Sequence, residues 1–144
     1  MTFGISFRPL KRLCFFLVVV VTALVTQGEL PPSVYQELQK KSPEALTIKV
    51  EWVGVSTTNE ATLKRLEVTA EARVEMVNRS SSGLKPGATI RIHYVRLDHK
   101  RPLPGPSEPE ILRKGLTYPA FLVKAEKDEV YSTAAGGYSF RTAN

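Results

Sequence analysis

His93, Asp98 and His99 are the one cluster in this chain with metal-ligand character. Two imidazoles and a carboxylate can hold a divalent cation and activate its bound water, the chemistry of a small metal-dependent hydrolase. Their spacing matches no zinc motif, and no further protein ligand stands nearby in sequence. Solvated surface histidines are therefore the plainer expectation, and no metal or other cofactor is expected. A second set, Arg91, His93, Arg96, Lys100 and Arg101 beside Tyr94, has the makings of a polyanion site, in which cations track a phosphate backbone and an aromatic ring stacks on a base.

Nucleophilic chemistry has little to work with. No Gly-x-Ser-x-Gly elbow is present, and the single cysteine, Cys14, lies near the start of the chain. Glu67, Glu71 and Glu75 recur every four residues. On a strand, neighbours in that series lie about 13 Å apart, too far to act as a carboxylate pair. Pro106-Ser107-Glu108-Pro109 has a PxxP spacing, read as a stiff loop, and Asn78-Arg79-Ser80 is a glycosylation sequon in an expected turn. The expectation is a protein that is not an enzyme.

The elements that must position these residues are mostly strands. Ser33 as cap, with Gln36 three residues on, predicts a short helix ended by Ser42-Pro43, with Val34 and Leu38 sharing its apolar face. From Ala45 the apolar period becomes two. Ile48, Val50 and Trp52 point one way, and the phase flips at Trp52-Val53 so that Val53 and Val55 take over. Trp52 and Phe121 are read as core residues. Leu66, Val68, Ala70, Ala72, Val74 and Met76 then alternate without a break against Glu67, Thr69, Glu71, Arg73 and Glu75, one long strand of about 35 Å. A turn through Ser80-Ser81-Ser82-Gly83 and Lys85-Pro86-Gly87 leads to a third strand. There Ile90, Ile92 and Tyr94 face inward, with a second flip at Tyr94-Val95. The proline-rich connection over residues 98–115 has room for one helical turn at 108–114. Leu116, Tyr118, Ala120 and Leu122 make a fourth strand, in which Pro119 demands an edge or a bulge. After a charged turn at Glu126-Lys127-Asp128, a fifth strand opens at Val130-Tyr131, and residues 134–140 close the domain.

Residues 1–28 read as a secretory leader. Arg8, Lys11 and Arg12 precede an apolar run over 13–25 broken only by Thr22, and Thr26-Gln27-Gly28 offers small residues before a cut. The run is shorter than the roughly 20 apolar residues of a membrane span. Cleavage before Glu29 implies an exported protein, periplasmic, cell-surface or secreted, with no stable membrane anchor and no cysteine. The leader removes three basic residues and no acidic ones, so the net charge falls from +6 to +3. That balance, with export, argues against a nucleic-acid partner.

Long strands that change face midway suit a small coiled barrel. Gly83-Leu84-Lys85-Pro86-Gly87-Ala88-Thr89-Ile90-Arg91-Ile92 resembles the L-x-x-G-x-x-I-x-I entry to a barrel strand in OB-fold proteins. Gly115-Leu116-Thr117-Tyr118-Pro119-Ala120-Phe121-Leu122 is similar to the G-x-x-Y-x-x-F-L strand of netrin-like (TIMP-like) domains, and Gly136-Gly137-Tyr138-Ser139-Phe140 to the ending of small secreted bacterial proteins built like them. The resemblance implies an all-β, five-stranded antiparallel OB-like barrel over 46–144, after a leader (1–28) and an extension with a short helix (29–45). Netrin-like inhibitors act through an N-terminal cysteine and disulfides. This chain lacks them once cleaved, so only the shape is carried over. The function expected is an exported non-catalytic binding or structural module for a protein or other extracellular ligand. A metal-dependent hydrolase or a polyanion binder is the alternative.

Overall fold

The computed structural model describes residues 29–99, 105–126 and 129–143. Residues 1–28, expected to be a leader, lie outside the described residues, as do Lys100, Arg101 and the tip of the charged turn at Lys127-Asp128. Helix α1 (Pro32–Lys41) is followed by β1 (Glu44–Asn59), β2 (Leu63–Ser80), β3 (Thr89–His99), β4 (Thr117–Lys124) and β5 (Val130–Thr133), then a 3-10 turn at Gly136–Tyr138. The pairings run β1-β2-β3-β5-β4 and return to β1, so one five-stranded sheet closes on itself.

The sheet is mixed, which corrects the all-antiparallel expectation. β3 and β5 pair in parallel, Arg91 with Val130 and Ile92 with Tyr131, while the other pairings are antiparallel. Parity requires it. Each antiparallel step reverses direction, and an odd number of reversals around a closed ring returns a strand opposed to itself, so one pair must run parallel.

β2 alternates as its sequence dictates: Leu66, Val68, Ala70, Ala72 and Val74 are buried, with acidic and basic neighbours outward. Met76 departs from this and is 57% exposed. The β1–β2 register shifts between Thr47 and Ile48, leaving Glu75 unpaired and throwing Met76 outward. A second shift, between Val50 and Trp52, makes Glu51 the extra residue. The phase thus flips one residue earlier than the apolar pattern suggests, and Trp52 lands on the outside. β3 carries no flip. Its register with β2 is continuous from Thr89 to His99, so Val95 and Leu97 share the outer face with Arg91 and His93. Arg96 takes the inner phase at the end of the sheet, where it bonds to Asp98 Oδ1 (2.7 Å) and the Pro109 carbonyl (3.3 Å). Pro119 sits where β4 pairs only with β1, since β5 joins at Leu122. That is the edge position its missing N–H requires.

No helical turn forms over 108–114. Tyrosine hydroxyls hold this segment instead. Tyr94 Oη donates to the Glu110 carbonyl (2.7 Å) and accepts the Leu112 N–H (3.1 Å), and Tyr118 Oη accepts the Arg113 N–H (3.2 Å). Leu112 thereby plugs the core, where Phe140 meets both tyrosine rings.

Helix α1 starts at Pro32, with no side-chain cap from Ser33, and it buries Tyr35 and Gln39 rather than Val34 and Leu38. The reason is polar. Gln39 Nε2 donates to the carbonyls of Tyr138 (2.8 Å) and Arg141 (2.7 Å), and its Oε1 accepts the Ala143 N–H (3.2 Å). Tyr35 stacks on Tyr138 at 4.2 Å, and the Arg141 guanidinium caps the stack at 4.0 Å. The helix is a clamp on the C-terminal segment.

Candidate functional site

The structure does not bring the metal-type cluster together. His93 and His99 lie on one face of β3, six residues and therefore about 20 Å apart. Asp98 is on the opposite phase and is engaged by Arg96. Among the described residues, no three His, Cys, Asp or Glu side chains are grouped to hold a metal. The basic set is also divided. Arg91 and His93 face outward, whereas Arg96 is tied to Asp98 and Pro109. The PxxP stretch is built into the fold: Ser107 donates from its N–H to Tyr35 Oη (3.0 Å) and from Oγ to Glu29 Oε1 (2.6 Å), and Pro109 is buried. Gly137 allows this approach, since a Cβ there would overlap Ser107. Asn78 is exposed but belongs to β2, not to a turn.

The outward side of β1, β2 and β3 carries a different constellation. Trp52 is 50% exposed. The six-membered ring of its indole lies over Gly54, where a Cβ would stand 2.5 Å from Trp52 Cη2. An absent side chain two residues along the strand thus seats a ring on the sheet. Gly54 pairs with Thr69 and Thr69 with His93, so a hydroxyl and an imidazole sit in the same row, and Ser56 and Glu67 form the next. These residues line one shallow depression with Trp52 at its side.

Three arginines on this face are paired with carboxylates. Arg73 Nε lies 2.9 Å from Glu51, Arg91 3.4 Å from Glu71 and Arg65 Nε 3.2 Å from Glu67. Exposed pairs of this kind add little stability. Their consequence is electrostatic: Arg65, Arg73 and Arg91, all on this outer face, each have a carboxylate partner. The arrangement offers an exposed indole face fringed by the hydrogen-bonding side chains of Ser56, Thr69 and His93, with Glu67 held by Arg65, which suits stacking and orientation rather than bond making.

Sequence reasoning placed His93 on this face but missed Trp52, Gly54 and Thr69. The available signal was Trp-x-Gly inside a strand: glycine there weakens the strand unless something covers it. Neither a protein-family model, nor a curated protein, nor a solved structure matches this chain.

Proposed function

We propose that this protein is an exported, non-catalytic binding module built as an OB-like barrel, which takes an uncharged ligand with a flat apolar face on Trp52. A sugar ring of a neutral glycan is the chemistry that fits. The observation carrying this reading is the half-exposed indole seated on Gly54, in line with Thr69 and His93. OB barrels use the faces of their second and third strands for oligonucleotides and oligosaccharides. Of these, the paired arginines favour the uncharged class, because a phosphate backbone is held by cations free to replace its counterions. Export is supported by the leader pattern and by Glu29. Its carboxylate accepts Tyr35 Oη (3.0 Å) and Ser107 Oγ (2.6 Å), so a chain cut before Glu29 keeps these anchors.

Trp52 is the sole tryptophan, so intrinsic fluorescence reports on the site itself. Titrating the mature protein with neutral oligosaccharides of glucose and N-acetylglucosamine is expected to shift the emission saturably. Thr69→Ala should weaken binding by roughly the worth of one hydrogen bond, about 1 kcal/mol. Saturable, salt-sensitive binding of heparin with no response to neutral glycans would replace this reading by the polyanion one.

A further inference from the structure

Among the described residues, the long strands leave one edge of the sheet uncovered. β4 pairs with β1 only as far as Lys49, and the flanking bonds at Val50, to the Leu116 carbonyl (3.0 Å) and from the Gly115 N–H (2.8 Å), end that coverage. Beyond the Glu51 bulge, residues 53–59 pair with β2 alone. Among the described residues, nothing bonds to their other side.

The backbone on that side follows from the turn. The Glu60 N–H bonds to the Leu63 carbonyl (2.9 Å), so the Glu60–Leu63 pair is hydrogen-bonded. Alternation then gives Thr58, Ser56 and Gly54 to β2, and turns the N–H and C=O of Val53, Val55, Thr57 and Asn59 to the outside. Natural edges of this kind are blunted by lysine, proline or an inward charge. Residues 53–59 read Val-Gly-Val-Ser-Thr-Thr-Asn, with no charge and no proline, and Val55 is 45% exposed.

We infer that residues 53–59 of β1 pair antiparallel with the same residues of a second copy of this chain, joining two sheets about a two-fold axis at Ser56. In that register Val53 meets Asn59 and Val55 meets Thr57 of the other copy, so each outward-facing residue meets another. About eight backbone hydrogen bonds form across the axis. The flanking acids do not collide, since Glu60 falls opposite Trp52 and Glu51 opposite Ala61. Only Ser56 meets its own copy, and neither it nor any other residue of the stretch carries a charge. A self-complementary patch of this sort closes as a dimer. The inference is independent of the ligand assigned to Trp52.

Sedimentation velocity on the mature chain from 1 to 200 µM tests it, together with amide hydrogen exchange at both ends of that range. The expected mass is that of two chains at high concentration. The amides of Val53, Val55, Thr57 and Asn59 should gain at least tenfold protection there, while those of Gly54, Ser56 and Thr58 stay protected throughout. Ser56→Lys, which sets two ammonium groups face to face at the axis, is expected to give a monomer with an unchanged circular dichroism spectrum, and Ser56→Thr to keep the dimer. A monomer at every concentration would overturn the inference. So would a dimer that survives Ser56→Lys, or one whose odd-numbered amides exchange as fast as in the monomer. If Ser56→Lys does not fold, the exchange pattern of the unmodified chain decides alone.

Discussion

The Tyr94 hydroxyl bonds to backbone on both sides, to the Glu110 carbonyl and the Leu112 N–H. It therefore fixes a segment that has no secondary structure of its own. Removing it in Tyr94→Phe leaves two backbone groups without that partner, and is expected to cost about 1–3 kcal/mol in urea denaturation at pH 7. Burial also pushes the Tyr94 phenol up to about 12. A folded-state value raised above the unfolded one, near 10, means the neutral form stabilises the fold. That contribution is complete below about pH 10 and falls as pH rises toward 12. The gap between the parent and Tyr94→Phe should therefore narrow at pH 11, while the other tyrosines cancel from the comparison. A gap equally wide at pH 7 and pH 11 would count against the buried-phenol account. Glu44 shows the same local economy. It is 1% exposed, its Oε1 accepts the Ser82 N–H (2.9 Å), and its Oε2 has no partner among the described residues.

Elements differ in how openly the sequence displays them. β2 was legible because its alternation runs unbroken over Leu66 to Val74, and one face of a strand must be buried whole. The bulges were not. A bulge shows in sequence only as a phase change, and two adjacent apolar residues such as Trp52-Val53 leave its position open by one residue. One residue is the difference between a core tryptophan and an exposed one. The face of α1 was misread for another reason: its buried contacts are Gln39, whose partners are backbone groups, and Tyr35, held by Glu29, Ser107 and the Tyr138 ring, and no hydropathy pattern reveals these. The strand faces themselves are testable. Val74→Ala and Ile92→Ala, at 1% and 0% exposure, should each cost about 1–3 kcal/mol, while Glu75→Gln on the outer side should change stability by less than about 0.5 kcal/mol. Comparable losses for both groups in chemical denaturation would mean the faces are misassigned.

Across the whole molecule, burial, strand pairing and one polar clamp hold the fold, since a single cysteine, Cys14, cannot form a disulfide within the chain. Helix, C-terminal turn and the segment around Ser107 meet at Glu29, Tyr35, Gln39 and Tyr138. The N-terminal extension is thus part of the domain's closure. N-terminal sequencing of the exported protein is expected to read Glu-Leu-Pro-Pro from Glu29; retention of residues 13–25 would contradict cleavage there. The mixed sheet was within reach of the sequence too. Five strands and a closed ring together force one parallel pair, and parity needs no coordinates. The Trp52 face was out of reach, because it depends on three strands meeting in one register.

That face is the centre of the account, and amide shift mapping interrogates it most directly. The mature protein, labelled with nitrogen-15, is titrated with a neutral N-acetylglucosamine oligosaccharide and a neutral glucose oligosaccharide. The account predicts that at least one shifts the Trp52 indole resonance together with the amides of Gly54, Thr69 and His93, leaving those around Gln39 and Tyr118 in place. Shifts confined to residues 96–101, or to no part of the β1–β2–β3 face, would contradict it.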